Sequence, residues 1–335
     1  MSFISELSPQ FHLQGEGQNL TDSQRRGRQI IESTLGVIKD IEIAKGSLVH
    51  HVYRVRGEKQ SGIIKLRGTS FSALPEFPTD PNNIKYEYRA LQFLAGIEPT
   101  VFPHVLGYSE EEHFILMTDV MPSRRTLETD LEEKVVDPAF VIDLSKTVAR
   151  VHRKLKPFQK KWRDQDEDST SKQEMYYRLG YHNNPILNAT ISQVVDLPHQ
   201  LVLADLSPKN IGKNADGRVS ICDLDSFCRG NVEYALSFLP GHLLIHNLTD
   251  FETARVLVTS AIEGFKSELP NIDYDSIFFK RLVLGAILYR IRNKVIPYNI
   301  SYSDDIKATK SQRAFELLDE KVLSWTTLIS GMTSL

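Results

Sequence analysis

Two apolar runs in the stretch LVLADLSPKNIGKNADGRVSICDLDSF (201–227) each end on an acidic residue. The first run ends on Asp205, and Asn210 follows five residues later; the second ends on Asp223, with Asp225 two residues further on. We predict two short strands here, with the turn Ala-Asp-Gly between them. Acids and asparagines are common in turns at strand ends, so the pattern gains a chemical meaning only from residues elsewhere in the chain.

The composition limits the classes of protein that this chain can be. Its 335 residues suffice for two domains or for one domain with two lobes, and 41% hydrophobic with 25% charged residues is ordinary for a globular protein. The 40 basic and 43 acidic residues give a net charge of −3 and form no long basic run, so nucleic acid is not expected as a partner. Cys222 and Cys228 are the only cysteines, which argues against a disulfide framework or a thiolate metal cage.

Two further features bear on membranes and location. The N-terminus has no basic start followed by an apolar stretch, so we expect no signal peptide. The longest apolar region, LVLGAILYRI (282–291), is too short to span a bilayer and is charged near its end. We therefore expect a cytoplasmic protein with no membrane partner.

Periodic patterns divide the chain into a β-rich first third and an α-rich remainder. In the first third we predict a helix (20–36), three short strands (38–68), a proline-rich loop (75–83), a helix (84–97) and a strand (113–122). In the remainder we predict a helix (137–155), a charged and broken segment (156–196), the two strands described above and mainly helix from residue 231. The expected helix caps are Thr21 or Asp22, Gly36 and Asp137. Together these elements predict an α+β fold of two lobes, residues 1–121 and residues 122–335.

A lysine and a glutamate in the first lobe lie where charged residues are unusual. Lys65 is flanked by apolar residues in the strand GIIKLR, and Glu87 lies on the apolar face of the helix that begins at Ile84. A carboxylate that faces a core needs a cation, and Lys65 is the candidate. A strand lysine paired with a helix glutamate is how kinase-type sites hold a lysine against the α- and β-phosphates of ATP.

The order of these features resembles the aminoglycoside phosphotransferase and choline kinase branch of the protein-kinase-like fold, over about residues 38–245. The resemblance rests on Lys65, Glu87, the linker strand FILMTDV and the pair ADLSPKNI and ICDLD. That pair is similar to the family pattern H-G-D-x-x-x-x-N followed by [IV]-D-[FWP]-[DEG]. The long segment between Ile64 and Glu87 is more similar to relatives of methylthioribose kinase than to the shortest antibiotic kinases.

The resemblance implies a role for each candidate residue. Asp205 would accept or align the proton of the substrate hydroxyl. The implied Mg²⁺ ligands are Asn210, Asp223 and, in a second-metal or water-mediated contact, Asp225. The implied ATP-binding residues are Lys65, Glu87, Gly46 and Ser47 in the phosphate loop, and Thr118, Asp119 and Val120 in the hinge.

Two positions depart from the family pattern. The family usually has His-Gly before the catalytic aspartate, where this chain has Leu203-Ala204, and often an aspartate in the following helix, where this chain has Ala235. We hypothesise that an apolar contact between Leu203 and Ala235 replaces a polar pair, because losing one polar partner alone would leave a buried group unsatisfied. Asp205 itself is retained, so the departure bears on rate more than on reaction type.

Several other conspicuous residues are interpreted as structural. The family often has a histidine at the position of His152, and we expect it to be a core histidine bonded to backbone. Cys222 is expected to be a small buried residue. Trp162, Tyr176 and Tyr177 lie where the family closes over its acceptor, and helix packing is the preferred interpretation over stacking on substrate.

The sequence therefore predicts an ATP- and Mg²⁺-dependent phosphotransferase that acts on a hydroxyl of a small molecule, such as a sugar, an amino alcohol, an aminoglycoside or a natural product. The alternative is a pseudokinase that binds nucleotide or a partner without turnover. A protein kinase is disfavoured, because no A-P-E element or long activation segment follows CDLD and GNVEYALSF leads directly into helix. No sequence feature specifies the acceptor, the choice between ATP and GTP, or the oligomeric state.

Overall fold

The computed structural model describes residues 21–44, 47–158, 162, 176–293, 298 and 300–334. The described chain divides into two compact units. The first contains the residues up to Arg124 together with Lys213–Asp225, and the second contains Arg125–Gly212 and the residues from Ser226 onward. Residues 213–225, which follow the sequence boundary at 121, thus pack with the first unit. The assignment of nucleotide binding to one lobe and substrate binding to the other stays a prediction.

A five-stranded antiparallel sheet forms the first unit, in the order β1-β2-β3-β5-β4. Its strands are β1 (Ile38–Ile43), β2 (His50–Gly57), β3 (Ser61–Arg67), β4 (Val105–Ser109) and β5 (Phe114–Met117). The three strands predicted within 38–68 and the strand predicted within 113–122 are confirmed. The sequence pattern does not reveal β4, because Gly107 interrupts it where the register with β5 shifts, and the whole strand is only half-buried.

Two helices accompany the sheet, and both confirm the predictions. Helix α1 (Asp22–Leu35) begins with a capping box formed by Thr21 and Gln24, and it ends at Gly36, which has a φ of 77°. Helix α2 (Ile84–Ile97) follows the short 3₁₀ turn Pro81–Asn83. The core between α1 and the sheet consists of Ile31, Leu35, Tyr53, Val55, Ile64, Leu66, Phe114 and Leu116.

Strand β3 positions the first candidate residues by its alternation. Ile64 and Leu66 join the core described above, so Lys65 and Arg67 lie on the opposite face of the strand. Both cations are nevertheless buried. Buried cations need acidic partners, and these are supplied by segments distant in sequence.

The two strands predicted within residues 201–227 do not pair with each other as predicted. Strand β6 (Gln200–Leu203) pairs antiparallel with β9 (Phe227–Gly230), which follows the second acidic segment and was not predicted. The Ala-Asp-Gly turn lies instead between β7 (Ile211–Lys213) and β8 (Val219–Ile221). The predicted hairpin is wrong for its first strand, because the chain leaves β6 through the 3₁₀ turn Pro208–Asn210 before β7 begins.

Helices make up most of the described second unit. They are α3 (Leu127–Glu132), α4 (Pro138–Leu155), α5 (Tyr177–Gly180), α6 (Pro185–Asp196), α7 (Val232–Ile245), α8 (Phe251–Glu268), α9 (Ile277–Arg292), α10 (Asp304–Asp319) and α11 (Trp325–Thr333). Helix α4 packs along α8, and α7 packs along α9. Asp137 caps α4 and Pro138 occupies its first turn, as predicted. Among the described helices, none combines the length and the apolar character needed to cross a membrane.

Candidate functional site

Lys65 is the centre of a buried ion-pair cluster in the first unit. Its Nζ lies 2.7 Å from Oε1 of Glu87 and 2.5 Å from Oδ1 of Asp223. Oε1 of Glu87 also accepts a hydrogen bond from the backbone N–H of Leu224, at 3.1 Å. The predicted pairing of Lys65 with Glu87 is confirmed, and the same carboxylate fixes the backbone beside Asp223.

A second ion pair runs beside the first. Arg67 follows Lys65 by two residues, and its Nη1 lies 2.7 Å from Oδ1 of Asp225, which follows Asp223 by two residues. Thr79 accepts hydrogen bonds from Nε and Nη2 of Arg67 at 3.1 and 2.7 Å. Because alternate residues of a strand share a face, β3 presents one cation to each aspartate. Arg67 was not predicted as a site residue, although its spacing of two from Lys65 places both side chains on one face of the strand.

Asp223 has a backbone conformation that few residues adopt. Its φ of 62° lies in the left-handed region, which non-glycine residues occupy mainly where the surrounding structure holds them. Aspartate and asparagine enter this region more readily than other side chains do. The bonds from Lys65 to Asp223 and from Leu224 to Glu87 hold the segment on both sides. Cys222, just before it, is half-buried, so the prediction that it is a small buried residue is wrong.

The cluster contains more acid than base, which fits a bound divalent cation. Three carboxylates face two cations; these are Glu87, Asp223 and Asp225 against Lys65 and Arg67. His50 adds no charge, because burial lowers its pKa to about 3. His50, Glu87 and Asp225 each place one ligand atom within 4.8 Å of the others. Oxygen donors with an excess of negative charge suit Mg²⁺, and the side chains of Asp223 and Asp225 are 37% and 28% exposed to an incoming ion.

Burial and pairing act in opposite directions on the two central groups. Burial raises the pKa of Glu87 to about 7, although Lys65 favours the charged carboxylate. Burial by itself would lower the pKa of Lys65, but the carboxylates of Asp223 and Glu87 outweigh it and hold this pKa above its ordinary value. Lys65 is therefore a cation at neutral pH.

The predicted hinge residues follow β5. The N–H of Thr118 donates to the carbonyl of His104 and its Oγ1 accepts from the N–H of His104, each at 2.9 Å. The carboxylate of Asp119 lies 2.7 Å from Nε of Arg54 on β2. Within the described part of the chain, no hydrogen bond involves the backbone of Val120. The backbone of Asp119 is likewise without such a bond in this part of the chain, so Asp119 and Val120 have backbone groups to offer a ligand, whereas the N–H of Thr118 is engaged.

The predicted phosphate loop lies only partly within the described residues. Gly46 lies outside them. Ser47 is described, and its Oγ accepts a hydrogen bond from the N–H of His50 at 3.2 Å. This bond ties the end of the loop to the start of β2, and the role of both residues in binding nucleotide stays a prediction.

In the second unit, two arginines hold Asp205 directly after β6. Nη2 of Arg290 on α9 lies 3.0 Å from Oδ1 of Asp205, and Nη2 of Arg178 on α5 lies 3.3 Å from Oδ2. Nη1 of Arg178 also donates to the carbonyl of Ala204 at 3.1 Å. Neither arginine was predicted from the sequence. The available signal was Arg290 near the end of the longest apolar run, since a charged side chain there needs a partner.

Asn210 ends the 3₁₀ turn that follows Asp205. Its backbone N–H donates to the carbonyl of Ser207 at 2.9 Å, and its side chain is buried. Helix α3 packs against this turn. The turn therefore has a fixed conformation, and metal binding by Asn210 stays a prediction.

His152 braces the strand that leads to Asp205. Its Nδ1–H donates to the carbonyl of Val148 at 3.0 Å, and its Nε2 accepts the backbone N–H of Leu203 at 3.1 Å. These partners require the neutral imidazole, and burial lowers the pKa of His152 to about 4. The predicted structural role of His152 is confirmed.

The apolar replacement before Asp205 involves a different residue from the one predicted. Ala235 packs in a small buried cluster with Val202 and Ala204. Leu203 is not a member of that cluster, because the alternation of β6 turns neighbouring side chains to opposite faces. The hypothesis of a contact between Leu203 and Ala235 is therefore replaced by one between Ala204 and Ala235.

The three aromatic residues considered for acceptor binding differ in their surroundings. Trp162 packs edge-on against Phe227, with 4.9 Å between ring centroids. Tyr176 is fully buried, and its hydroxyl lies 2.7 Å from Nε2 of His199. Tyr177 is about half exposed. Packing therefore explains Trp162 and Tyr176, and of the three only Tyr177 presents a large surface to a ligand.

Comparison with known proteins identifies the fold. No protein-family model matches the chain, and no curated protein sequence matches it. An amicoumacin kinase in complex with AMP-PNP and Ca²⁺ matches with a TM-score of 0.52 at 15% identity, over 89% of this chain and 93% of that one. A putative fructosamine-3-kinase from Haemophilus somnus 129PT matches with a TM-score of 0.54 at 12% identity, over 87% and 96%.

These likenesses confirm the predicted protein-kinase-like α+β fold, which the chain shares with small-molecule kinases. At such low sequence identity they establish the fold, and the chemistry has to be argued from the side chains. The nearer resemblance to methylthioribose kinase relatives stays a prediction.

Proposed function

We propose that this protein is an ATP- and Mg²⁺-dependent phosphotransferase that transfers the γ-phosphate of ATP to a hydroxyl of a small molecule. The observation that carries this proposal is the position of Lys65, whose Nζ lies between Glu87 at 2.7 Å and Asp223 at 2.5 Å. A scaffold needs no buried lysine shared by two acids, whereas a kinase uses such a lysine for phosphates and such an aspartate for metal. The AMP-PNP bound by the amicoumacin kinase of the same fold supports this reading.

The first unit would supply most of the nucleotide site. Lys65 would bind the α- and β-phosphates, and Glu87 would orient it. The remaining nucleotide contacts are assigned to Gly46, Ser47, Thr118, Asp119 and Val120. Mg²⁺ would be held by Asp223 and Asn210, with Asp225 in a second or water-mediated contact, and would neutralise charge on the triphosphate.

Asp205 would receive the acceptor hydroxyl. In phosphoryl transfer through a loose transition state, the protein contributes chiefly positioning and electrostatic stabilisation. A carboxylate fixed by Arg178 and Arg290 suits the task of aligning a hydroxyl and taking its proton late in the transfer.

One observation favours a second candidate, a non-catalytic nucleotide-binding protein. Both oxygens of Asp205 are engaged, Oδ1 by Arg290 and Oδ2 by Arg178. A hydroxyl that approaches this carboxylate has to displace or share one of these partners. If neither arginine yields, the protein would bind nucleotide without turnover.

The first test is thermal unfolding with AMP-PNP and MgCl₂, added singly and together. Ligand at 100 to 1,000 times its Kd should stabilise the wild type by roughly 2.7–4 kcal/mol, and only when both components are present. Asp223→Asn should lose this stabilisation. Asp216→Asn, in the exposed turn between β7 and β8, is the matched control and should keep it. Absence of any shift in the wild type would remove the basis for the nucleotide site.

The second test measures ADP release and mass gain of the acceptor over a panel of polyols, amino alcohols, aminoglycosides and hydroxy acids. A phosphorylated product with the wild type, and none with Asp205→Asn, is the result expected of a kinase. Nucleotide-dependent stabilisation without turnover of any acceptor would favour the non-catalytic alternative. Asp196→Asn, an exposed substitution at the end of α6, controls for a general loss of charge.

A further inference from the structure

The contacts of Asp205 leave an excess of positive charge. Two arginines bind this one carboxylate, and their side chains are only 13% and 10% exposed. Arg290 acts on the partly buried carboxylate of Glu128, and so does Lys209, whose charge is opposite to that of Glu128. Glu132, the other acid that acts on Glu128, is exposed to solvent, so the buried charges keep that excess. His242 of α7 does not add to it, because burial lowers its pKa well below the ordinary value.

Aromatic rings fix the two guanidinium groups in place. Arg178 lies 5.1 Å from the ring centroid of Phe238, and Arg290 lies 5.5 Å from that of Tyr289 and 5.1 Å from that of Tyr298. Contacts of this kind hold a cation without neutralising it. The guanidinium groups are therefore positioned but retain their charge.

Some hydrogen-bonding groups beside Arg290 are buried without partners. Within the described residues, Nε of Arg290 and both ring nitrogens of His242 have no hydrogen-bond partner. The ring of His242 lies 5.1 Å from that of Tyr298, which also contacts Arg290. Buried polar groups are normally satisfied, so several unpartnered polar groups at one place indicate that something else binds there.

A cavity of about 900 Å³ begins at Arg290. Its wall includes Arg290, Arg292 and Tyr298, together with residues of α10 such as Lys307 and Gln312. This volume lies within the range of small-molecule sites. The wall contains three acids. Glu316 is paired with Arg313 at 2.8 Å, Asp304 is fully exposed with Lys307 3.8 Å away, and Asp319 is exposed at the end of α10. Arg290 thus connects the cavity to Asp205, and a molecule in the cavity meets a cation beside the carboxylate.

We propose that the acceptor of this enzyme carries an anionic group, a carboxylate or a phosphate, which Arg290 binds from the cavity while the hydroxyl meets Asp205. This inference rests on the proposed phosphotransferase function. The guanidinium fork matches such anions with two parallel hydrogen bonds. The anion binds Arg290 in place of Oδ1 of Asp205, and this oxygen then becomes available to the hydroxyl. Arg178 continues to hold Oδ2. The positive charge of Arg290 disfavours quaternary ammonium and polyamine acceptors at this position.

Binding of small anions to the whole protein tests the proposal directly. We would titrate inorganic phosphate and malonate, with glycerol and choline chloride as comparators, by calorimetry at constant ionic strength. Arg290→Met should weaken binding of at least one anion by about tenfold or more, and Arg290→Lys by less, because lysine keeps the charge and loses the fork. Arg255→Met, which removes an exposed arginine on α8, should bind as the wild type does. Equal anion binding by the wild type and Arg290→Met would mean a general salt effect and would overturn the proposal, as would tighter binding of choline than of malonate.

Turnover of matched acceptors provides the second arm. Two pairs of compounds serve here: D-gluconate with D-glucitol, and D-glycerate with glycerol. In each pair, the first member has a carboxylate where the second has a neutral hydroxymethyl group. The acid should be preferred in kcat/KM, and Arg290→Met should abolish the preference with the KM for ATP unchanged. Preference for the neutral member would overturn the proposal; if neither pair is phosphorylated, the binding comparison decides. If AMP-PNP and Mg²⁺ failed to stabilise the wild type, the proposed function itself would be contradicted, because that measurement depends on Asp223 and involves no acceptor.

Discussion

The ammonium group of Lys65 lies 2.5 Å from the carboxylate of Asp223, although 158 residues separate them in the chain. The same separation recurs between Arg67 and Asp225, whose side chains meet at 2.7 Å. Two residues on one face of β3 thus meet two aspartates of the segment after β8 in register. The repeated spacing makes two of the metal-binding candidates, Asp223 and Asp225, and the phosphate-binding candidate Lys65 parts of one cluster.

Removal of Lys65 should destabilise the first unit through Glu87. Lys65→Met leaves a buried carboxylate without its cation, so we expect a loss of roughly 3–5 kcal/mol in the free energy of unfolding at pH 8. The loss should shrink toward pH 5, because protonation of Glu87 then removes the unpaired charge. Urea unfolding at the two pH values measures both effects.

The double variant Lys65→Met/Glu87→Gln should recover much of that stability, since the buried carboxylate that lost its cation is then neutral. Lys39→Met, an exposed change on β1, should leave it nearly unaltered. If Lys65→Met lost the same unfolding free energy relative to the wild type at pH 5 as at pH 8, the result would contradict the proposed protonation of Glu87.

His152 should make the protein sensitive to acid. Its pKa is about 4 in the folded protein against 6.5 in the unfolded chain, so protonation favours unfolding. Its contribution to stability is complete above pH 6.5 and is lost as the pH falls through 4. Between pH 7 and pH 4.5 this amounts to about 2 kcal/mol.

The measurement compares the unfolding free energy of the wild type and of His152→Gln at pH 7 and pH 4.5. The variant should lose about 2 kcal/mol less over this interval, whatever its stability at pH 7. Other buried histidines, such as His50 and His246, remain in both proteins and cancel. Parallel pH curves for the two proteins would count against a buried neutral His152.

Two glycine-to-alanine changes in helices should have opposite effects. A Cβ on Gly264 of α8 would lie 2.5 Å from Cβ of Ser145 and 2.7 Å from the carbonyl oxygen of Ile142, both on α4. Gly264→Ala should therefore destabilise the protein by about 1–3 kcal/mol. Gly96→Ala, near the end of α2, meets no atom within 4 Å and should stabilise it by up to about 1 kcal/mol. Thermal unfolding of both variants checks the prediction, and a loss of stability in Gly96→Ala would refute its second half.

The left-handed backbone at Asp223 should separate two substitutions that both remove the carboxylate. Asparagine enters this conformation readily and alanine does not, so Asp223→Ala should be about 1 kcal/mol less stable than Asp223→Asn without nucleotide. Both variants should fail to gain stability from AMP-PNP and Mg²⁺. Guanidinium unfolding of the two proteins measures the difference, and identical curves would show that φ at this position carries no strain.

Local pattern was sufficient wherever a feature depends on residues close in sequence. The helices that begin near Asp22, Ile84 and Pro138 were predicted from apolar spacing, and the first and third were predicted with their caps, because such signals act within a few turns. Glu87 could be assigned a cation because a carboxylate on an apolar helix face has few alternatives. The motifs around Asp205, Asn210 and Asp223 likewise depend on short spacings.

The protein-kinase-like α+β fold, the capped helices and the pair of Lys65 with Glu87 were thus determined by the sequence itself. Tertiary structure alone decided the rest. Strand β6 pairs with β9 because strand partners are chosen by packing over distance, and Ala204 rather than Leu203 meets Ala235 because the face of a strand is set by its register. Arg178 and Arg290 come from two helices more than a hundred residues apart in sequence, and no spacing rule connects them to Asp205. Their contact with Asp205 is electrostatic and depends on distance in space, which a linear pattern does not contain.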